Sequence, residues 1–436
     1  MKKLISLCTT FMCTMTLSAA TFTDGFIEYC PNFVRHTVSI ESLDFSKVTQ
    51  EVYTLPTSVK YEGEEYVVTK LGDKAIRNGK NNTICKKIIV PPTITECGKM
   101  CFLFCTNVIE IVISPQLKEI SSSTFAQCHS LERILLPEGL ETIGNDAFKG
   151  CRALKEITIP KSVKYIYGNA FQGTNIKEII LPEGMTKING RAFCGMIKLQ
   201  KIVIPASVTE IWDAAFSGCE RLSEVVLPTN LTTISDGLFE GCSSLEHITI
   251  PEKVTEIKMN AFANCSELQS IIFPASVRKI QIDVLKGCYN LQTITFEGVI
   301  PPLTNYGSFT TNISKVYVPK SCSQIYSSSL PNYLSNLIVE MDKELTSPQM
   351  LQILEIRHNR ISAPHDCSRE ESIIIQRYVE LYSLLSAHTD SPKDLETLYR
   401  IQEFLITHNL EIKSLAKELK AAKTTEDITP IFMKYL

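Results

Sequence analysis

Residues 131–151 read LERILLPEGLETIGNDAFKGC, and the apolar positions of this stretch recur along most of the 436-residue chain. The shared pattern is L-x-x-I-x-I-P-x-x-V-x-x-I-x-x-x-A-F-x-G-C, and its proline position returns every 23 residues except for two steps of 22. That position is occupied by Pro91, Ser114, Pro137, Pro160, Pro182, Pro205, Pro228, Pro251, Pro274, Glu297 and Pro319. A fixed period of this length is typical of a repeat architecture in which each repeat forms one structural unit.

A second column of the repeat holds phenylalanine in eight successive coils and then leucine. These residues are Phe102, Phe125, Phe148, Phe171, Phe193, Phe216, Phe239, Phe262 and Leu285. One residue type does not return at the same place in eight coils by chance. We therefore expect this column to form a continuous part of the core.

The I-x-I-P segment of each coil predicts a short strand, because β-branched residues alternate there and a proline ends the run. One such strand per coil would stack in parallel on the next. The A-F-x-G-C segment turns the chain back, and glycine at 150, 218, 241 and 287 permits the turn. A single coil cannot bury enough surface to fold alone, so the coils must stack and their ends must be capped. The sequence predicts a solenoid with irregular or 3-10 return segments.

Both ends of the repeat depart from the pattern. Upstream, Leu55, Pro56 and Leu71 fit a degenerate coil, and residues 61–68 predict a β-hairpin with a turn at Gly63. Downstream, the repeat ends near residue 342, after Pro301 and its neighbouring proline have broken the pattern. We therefore expect an N-terminal cap over residues 21–80 and a solenoid with its own C-terminal cap over residues 81–342.

These features resemble the BspA-like leucine-rich-repeat proteins found on bacterial surfaces and in some protists. The matching segments are the repeated coil, SVKYEG at 58–63, FEG at 296–298, the prolines at 301–302 and VYVPK at 316–320. The resemblance covers roughly residues 50–342. It implies a secreted or surface-exposed interaction protein that adheres to host proteins or to other cells. The family has no shared catalytic motif, so the resemblance assigns no functional residue.

The first twenty residues have the layout of a secretory signal peptide. Lys2 and Lys3 precede an uncharged, largely apolar run over 4–17, and residues 18–20 are small. A membrane anchor is the alternative, but the run is shorter than the ~20 apolar residues that a spanning helix needs. We expect residues 1–20 to direct export, and the protein to be secreted or held at the cell surface.

Charge and motifs argue against several classes of function. The net charge is −3 and the pI is near 6.2, so no global basic field favours nucleic acid. H-E-x-x-H, a phosphate loop, a dinucleotide fingerprint and G-x-S-x-G do not occur. The triplet His365-Asp366-Cys367 is adjacent in sequence, which does not make a catalytic triad. The sequence predicts a protein that is not an enzyme and uses no cofactor.

Sixteen cysteines in an exported chain raise the question of disulfides. Seven of them share one repeat column and predict a ladder of buried free thiols. They are Cys105, Cys128, Cys151, Cys219, Cys242, Cys265 and Cys288. One coil also places Cys85, Cys97 and Cys101 beside Cys105 at inward positions. A thiolate metal site and a local disulfide are the alternatives there to plain core residues.

Two positions of each predicted strand face outward, and each position forms a row of candidate binding residues along the solenoid. The first row is Ile89, Val112, Leu135, Thr158, Ile180, Val203, Val226, Thr249, Ile272, Thr295 and Tyr317. The second row is Lys87, Glu110, Arg133, Glu156, Glu178, Lys201, Glu224, His247, Ser270, Thr293 and Lys315. An aliphatic stripe on a solenoid is a candidate docking surface. β-propensity alone would also produce the stripe, and the second row has the alternating signs of a salt-bridged surface.

The candidate partner-binding residues combine these rows with the only tryptophan. They are Ile180, Val203, Val226, Ile272, Lys201, Glu224, His247 and Trp212. Trp212 is predicted to lie outside, with packing against Tyr167 as its alternative role. The expected partner is a host or cell-surface protein.

Residues 343–436 predict a small all-α domain, because apolar residues recur there at helical spacing. The predicted helices cover 347–357, 373–387, 395–406, 410–422 and 428–435, the second after a capping box at Ser368 and Glu371. Two functions remain open. One is an interaction or adhesion module that uses the sheet face, and the other is a structural component of the cell envelope assembled through this helical domain.

Overall fold

A computed structural model of the protein describes residues 21–77, 79–304, 312–363, 369–386, 391–407 and 413–436. The predicted signal peptide, the His365-Asp366-Cys367 triplet and the capping residue Ser368 lie outside these ranges. The described chain divides into two compact units. The first contains residues 21–269 and 281–290, and the second contains residues 270–280, 291–304 and 312–436.

The first unit begins with a sheet that combines antiparallel and parallel pairs. Its strands are Phe22–Thr23, Ile27–Asn32, Thr37–Asp44, Ser58–Tyr61, Glu64–Leu71, Ile76–Arg77 and Glu96–Cys97. The predicted hairpin is confirmed, since Ser58–Tyr61 pairs antiparallel with Glu64–Leu71 around Glu62 and Gly63, whose φ angles are 51° and 88°. The strands before residue 45 were not predicted, because their residues carry no coil pattern. They pair with one another antiparallel and join the hairpin through a parallel contact.

Six segments at or equivalent to the I-x-I-P position of the first unit form the predicted parallel strands, here named the first row. They are Val52–Thr54, Lys87–Ile89, Glu110–Val112, Arg133–Ile134, Lys201–Val203 and Glu224–Val226. Each residue of these strands pairs with the residue at the same position of the neighbouring coil, as shown by Glu110 opposite Lys87 and Lys201 opposite Glu224. The prediction of one parallel strand per coil is therefore confirmed for these coils.

The return segment of each coil is more regular than expected, because it holds a second short strand. This second row of the first unit contains Glu96–Cys97, Glu119–Ile120, Thr142–Ile143, Tyr165–Ile166, Lys187–Ile188, Glu210–Ile211, Thr233–Ile234 and Glu256–Ile257. Its pairs are again parallel and one coil apart, as for Ile120 with Ile143. The isoleucine of this strand points inward and is buried in each of these coils, whereas Glu96–Cys97 presents Cys97 there.

The phenylalanine column is the centre of the core. From Phe102 to Phe262 every ring is fully or almost fully buried, and successive centroids lie 5.2 to 5.8 Å apart with nearly parallel planes. The backbone follows the same spacing, because Phe125 N–H donates to Ala147 O and Phe148 N–H donates to Ala170 O. The predicted continuous column is thus confirmed.

Each return turn has two residues in the left-handed region, and only one of the two positions was predicted. The position recognised as glycine includes Gly150, Gly218, Gly241 and Gly287, with φ between 72° and 76°. The second position, just before the alanine of A-F, is occupied by Met100, Ser123, Asp146, Asn169, Arg191, Ala214, Gly237, Asn260 and Asp283, with φ between 54° and 60°. A side chain with a Cβ atom is strained in this region.

The two left-handed positions give opposite expectations for a matched pair of variants. Gly241→Ala should lower the free energy of unfolding by about 1–2 kcal/mol, because alanine is strained at a φ of 74° although its Cβ would have ordinary contact with Gly218 at 3.6 Å. Ala214→Gly should raise it, because the relief of strain exceeds the ~0.5–1 kcal/mol entropic cost of glycine. Urea denaturation of both variants measures this. A loss of stability in both would contradict the interpretation of the turn.

The second unit contains strands of both rows and the helices. Its strands are Ser270–Phe273, Lys279–Ile280, Thr293–Phe296, Leu303–Thr304, Lys315–Val318 and Ile338–Glu340, and its helices are Ser323–Ser327, Asn332–Ser335, Ser347–Ser362, Arg369–Leu385, Pro392–Thr407, Lys413–Ala421 and Ile428–Tyr435. The five predicted C-terminal helices are present. Residue 387, the predicted end of the second, and residues 410–412, the predicted start of the fourth, lie outside the described ranges. Two short helices before residue 336 were not predicted. Among the described residues, no helix is both long and apolar enough to cross a bilayer.

The helices of the second unit share a core of their own and also contact the strands of that unit. The core contains Ile374, Tyr378, Leu381, Ile401, Leu415, Leu419, Ile428 and Phe432. Arg357 is buried, donates from Nη2 to Ser321 O at 3.0 Å, and lies 4.7 Å from the centre of the Tyr399 ring. Thr346 and Gln349 form a capping box at the start of Ser347–Ser362.

Candidate functional site

The first row of strands presents an aliphatic face in the first unit, defined by Val112, Leu135, Ile180, Val203 and Val226. Their side chains are exposed, and Leu135 and Ile180 are 79% and 77% accessible. Successive strand residues point to opposite sides, so the inward neighbours Ile202 and Ile204 are buried while Val203 is not. Val203 lies directly opposite Val226, so these side chains share one face.

The charged row beside this face forms ion pairs between neighbouring coils. Lys87 and Arg133 contact Glu110 at 2.6 and 3.0 Å, and Lys201 contacts Glu224. Hydrogen bonds from Lys87 and Arg133 lower the pKa of the Glu110 carboxyl. The expected salt-bridged character is confirmed for these residues, so Lys201 and Glu224 already satisfy one another at the edge of the aliphatic face.

The candidate residues do not all come together. Val203, Val226, Lys201 and Glu224 lie on strands of the first row, and Ile180 lies two residues after Glu178, which forms an isolated bridge with Lys201. His247 is exposed in a coil where residues 246–250 form no strand, as the structure describes them. Ile272 belongs to the second unit, where it is 49% exposed.

Trp212 is exposed, as predicted, but it follows a strand of the second row and not the first. Its Nε1 donates to the Glu210 carboxylate at 3.3 Å, and the same carboxylate accepts from Lys187. The alternative role of packing against Tyr167 stays a prediction, and Tyr167 lies two coils before Trp212. Asn189 occupies this position in the coil between them, and the described ring contact of Tyr167 is with Tyr165.

The first row is interrupted near its middle, which was not predicted from the sequence. Residues 155–159 form no strand, and none of their N–H groups donates a hydrogen bond to a described residue. The following coil keeps one bridge, Glu178 to Lys201. Ile134 is partly exposed on the near side, whereas its inward counterparts Ile88 and Ile202 are fully buried.

We name this interruption the opening. On one side it borders a groove of about 1060 Å³, whose lining includes Glu156, Ile157, Thr158, Glu178 and Ile180. On the other side it borders a groove of about 650 Å³, whose lining includes Leu135. One signal in the sequence marks the place, since the step from Pro160 to Pro182 is 22 residues and Thr174 there replaces the column cysteine.

The column cysteines are buried and free, as predicted, but they are also hydrogen-bond donors. Cys128 Sγ donates to Phe102 O at 3.1 Å and Cys219 Sγ donates to Phe193 O at 3.2 Å, and the same bond recurs at Cys151, Cys242, Cys265 and Cys288. Each of these thiols thus forms a hydrogen bond between its own coil and the backbone carbonyl of a column phenylalanine in an earlier coil.

The cysteine-rich coil shows free thiols at all four positions, Cys85, Cys97, Cys101 and Cys105. Cys101 donates to Gly98 O at 2.9 Å. A hydrogen bond with Cys97 and burial raise the pKa of the Cys101 thiol well above its usual value. No group of three or more metal-binding side chains is found among the described residues.

The sequence profile described as "BspA type Leucine rich repeat region (6 copies)" matches residues 31–155, 69–198, 141–269, 186–306 and 213–338. The chain belongs to the BspA-type leucine-rich-repeat family. The matches together cover residues 31–338, which contain the strands of both rows.

Among solved structures, the BspA-type chain is similar to several bacterial leucine-rich-repeat proteins. A leucine-rich cell surface protein from Faecalibacterium prausnitzii is 25% identical, with 64% of this chain and 96% of that chain covered and a TM-score of 0.39. A leucine-rich-repeat protein from Bacteroides ovatus is 25% identical over 74% of this chain and 100% of that one, with a TM-score of 0.47. The pneumococcal vaccine antigen PcpA is 15% identical over 74% and 99%, with a TM-score of 0.44. No protein of curated function matches the chain.

Proposed function

We propose that this protein acts outside the cell or on its surface as a non-enzymatic module that binds a protein partner through the aliphatic face. The predicted signal peptide supplies export. The family is consistent with a role in protein interaction, and one similar structure is described as a cell surface protein.

The observation that carries the proposal is the exposure of the aliphatic face. Val112, Leu135, Ile180, Val203 and Val226 are between 39% and 79% exposed. Contiguous apolar surface is unusual on a soluble protein and marks interaction sites when polar residues surround it. The ion pairs of the charged row form such a polar border along one side. Apolar contacts then provide affinity, and the border limits the orientations of the partner.

The test is a binding assay of the full chain on a panel of purified extracellular-matrix proteins and on cultured epithelial cells. The double variant Val203→Ser with Val226→Ser should reduce binding at least tenfold with an unchanged melting temperature, because both side chains are half-exposed. Val34→Ser is the matched control, since Val34 is 93% exposed but lies in the turn between Ile27–Asn32 and Thr37–Asp44, away from the aliphatic face. Trp212→Ala, on the second row, tests whether the contact extends beyond the face. Equal binding by the double variant and the wild type would refute the proposal.

A further inference from the structure

We infer that a second surface of this protein binds a neutral, extended polysaccharide. The surface is built on three successive strands of the second row, Tyr165–Ile166, Lys187–Ile188 and Glu210–Ile211, and on the residue that follows each of them. We name it the aromatic face, defined by Tyr165, Tyr167, Lys187, Asn189, Glu210 and Trp212. It lies in the first unit, on the other strand row from the aliphatic face, and its ligand is not the protein partner proposed above.

The three coils of the aromatic face present their outward residues in register. Trp212 N–H donates to Ile188 O at 2.9 Å, and Asn189 Nδ2 donates to Ile166 O at 2.8 Å, so each residue is joined to the coil before it. The isoleucine of each strand is buried, so the residues on either side of it point outward. Tyr167, Asn189 and Trp212 therefore form one column, in which the two aromatic side chains are two coils apart.

The aromatic side chains of this face match the spacing of sugar rings. Tyr165, Tyr167 and Trp212 are between 39% and 51% exposed, and the two tyrosine rings lie 6.3 Å apart. Because neighbouring parallel strands are about 4.8 Å apart, Tyr167 and Trp212 are separated by roughly 10 Å. In an extended β-1,4-linked polysaccharide, this is about the distance from one sugar ring to the second ring after it.

The apolar C–H face of a sugar ring packs on an aromatic side chain, which offers a large and rigid apolar surface. Tyr167 and Trp212 can each cover one of two alternate sugar rings. The ring between them then lies over Asn189.

The side chains between the aromatic residues are polar, as the hydroxyl groups of the intervening sugar require. Asn189 is half-buried and is held by its bond to Ile166 O, and its Oδ1 is an acceptor for a hydroxyl group. Glu210 accepts from Trp212 Nε1 at 3.3 Å, which holds the indole in place before a ligand binds. A side chain that is ordered in advance lowers the entropic cost of binding.

The charges of the aromatic face select a neutral ligand. Lys187 and Glu210 form an ion pair at 2.9 Å. Lys164, which precedes Tyr165, is paired with Glu141 at 3.2 Å. These four charges sum to zero, so they give no net attraction to a sulfated or uronic-acid polymer.

A polysaccharide fits the aromatic face better than a protein partner does. The centre of a protein interface is an apolar patch depleted of charged residues, whereas Lys187 and Asn189 separate the two tyrosines from Trp212. A polysaccharide also continues beyond both ends of the face. The coils before and after it have small side chains at the same positions, which are Thr142 and Gly144, and then Thr233 and Ser235.

Trp212 reports on this face directly, because it is the only tryptophan of the chain. The full chain is titrated with cellohexaose, an uncharged and extended β-1,4-linked glucose oligomer, and with maltohexaose, its curved α-1,4-linked counterpart. We expect cellohexaose to change the fluorescence of Trp212, to protect it from quenching by acrylamide, and to bind at least about tenfold more tightly than maltohexaose. Sodium chloride should leave the affinity unchanged, because screening acts on charges and the ligand has none.

Variants measured by titration calorimetry complete the test. Trp212→Ala and Tyr167→Ala should each weaken cellohexaose binding at least about tenfold, whereas Tyr167→Phe keeps the ring and should change it less than about twofold. Tyr289→Ala is the matched control, since Tyr289 is 66% exposed but lies outside the second row, and it should have no effect. The melting temperature of each variant shows that it is folded.

No binding of cellohexaose, equally tight binding of maltohexaose, or an affinity that Trp212→Ala and Tyr167→Ala leave unchanged would overturn the inference. It also fails if Trp212→Ala weakens binding to matrix proteins whose glycans have been removed, because the aromatic face then belongs to a protein interface. The proposed function is tested separately, since Val203 and Val226 lie on the first row.

Discussion

Replacing Phe171 by alanine is expected to lower the free energy of unfolding by about 3–5 kcal/mol, the range observed when a buried aromatic side chain is removed. Phe171 is fully buried, and its ring stacks on Phe148 at 5.3 Å and on Phe193 at 5.8 Å. The variant leaves a cavity between two coils and removes two ring contacts. Because a solenoid is stabilised by each coil and by its contacts with its neighbours, one cavity weakens the stacking on both sides.

Phe104→Ala is the matched control for this variant. Phe104 also lies in a return turn, but its side chain is 46% exposed and its φ of 61° would be unchanged by alanine. We expect its loss to be less than about 1 kcal/mol, as for other surface substitutions. Urea denaturation followed by circular dichroism measures both variants. Similar losses for Phe171→Ala and Phe104→Ala would show that the ring column does not carry the coil contacts.

The phenylalanine column could be predicted because it depends on periodicity alone. A residue that returns every 23 positions must face the same way in every coil, so burial and stacking followed directly from the sequence. The same periodicity placed the outward row, whereas the hairpin at Gly63 was predicted from a glycine turn in a segment that interrupts the coil pattern. The C-terminal helices followed from their own 3.6-residue pattern.

Other features could not be predicted because they depend on distances between coils. Residues 155–160 read KEITIP and residues 200–205 read QKIVIP, yet only the latter segment joins a paired strand. Inward and outward residues alternate in the same way in both segments. Whether a segment forms strand hydrogen bonds depends on its distance from the neighbouring coil, which the sequence does not give. The thiol bond from Cys219 to Phe193 O likewise joins residues from different coils. The left-handed conformation of Ala214 could not be predicted from the sequence, because alanine does not favour this conformation.

The column thiols should make the protein sensitive to alkali. Burial raises the pKa of the Cys219 and Cys288 thiols to about 12, from a usual value near 9. An unfolded chain loses these protons above pH 9, whereas the folded chain keeps them until about pH 12. The unfolded state therefore binds fewer protons between these values, and stability must fall as the pH rises through this range and be unaffected by these thiols below pH 9.

The expected loss at pH 10 is about 1.4 kcal/mol for each such thiol, so these two contribute about 3 kcal/mol. Burial also raises the pKa of the Cys242 and Cys265 thiols well above the usual value, which adds to the effect. The measurement is the free energy of unfolding in urea between pH 8 and pH 10.5, with a reductant present throughout.

Two variants of the same column separate the thiols from other groups that titrate near pH 10. Cys219→Ala removes one buried thiol, so stability should fall less steeply with pH than in the wild type. Thr174→Cys places a thiol at a fully buried column position that lacks one, so stability should fall more steeply. The comparison uses slopes and not absolute stabilities, so any cavity left by Cys219→Ala does not affect it. Identical slopes in the three proteins would mean that the column thiols are not held protonated by burial, and the view of the column as a ladder of protonated donors to backbone carbonyls would have to be abandoned.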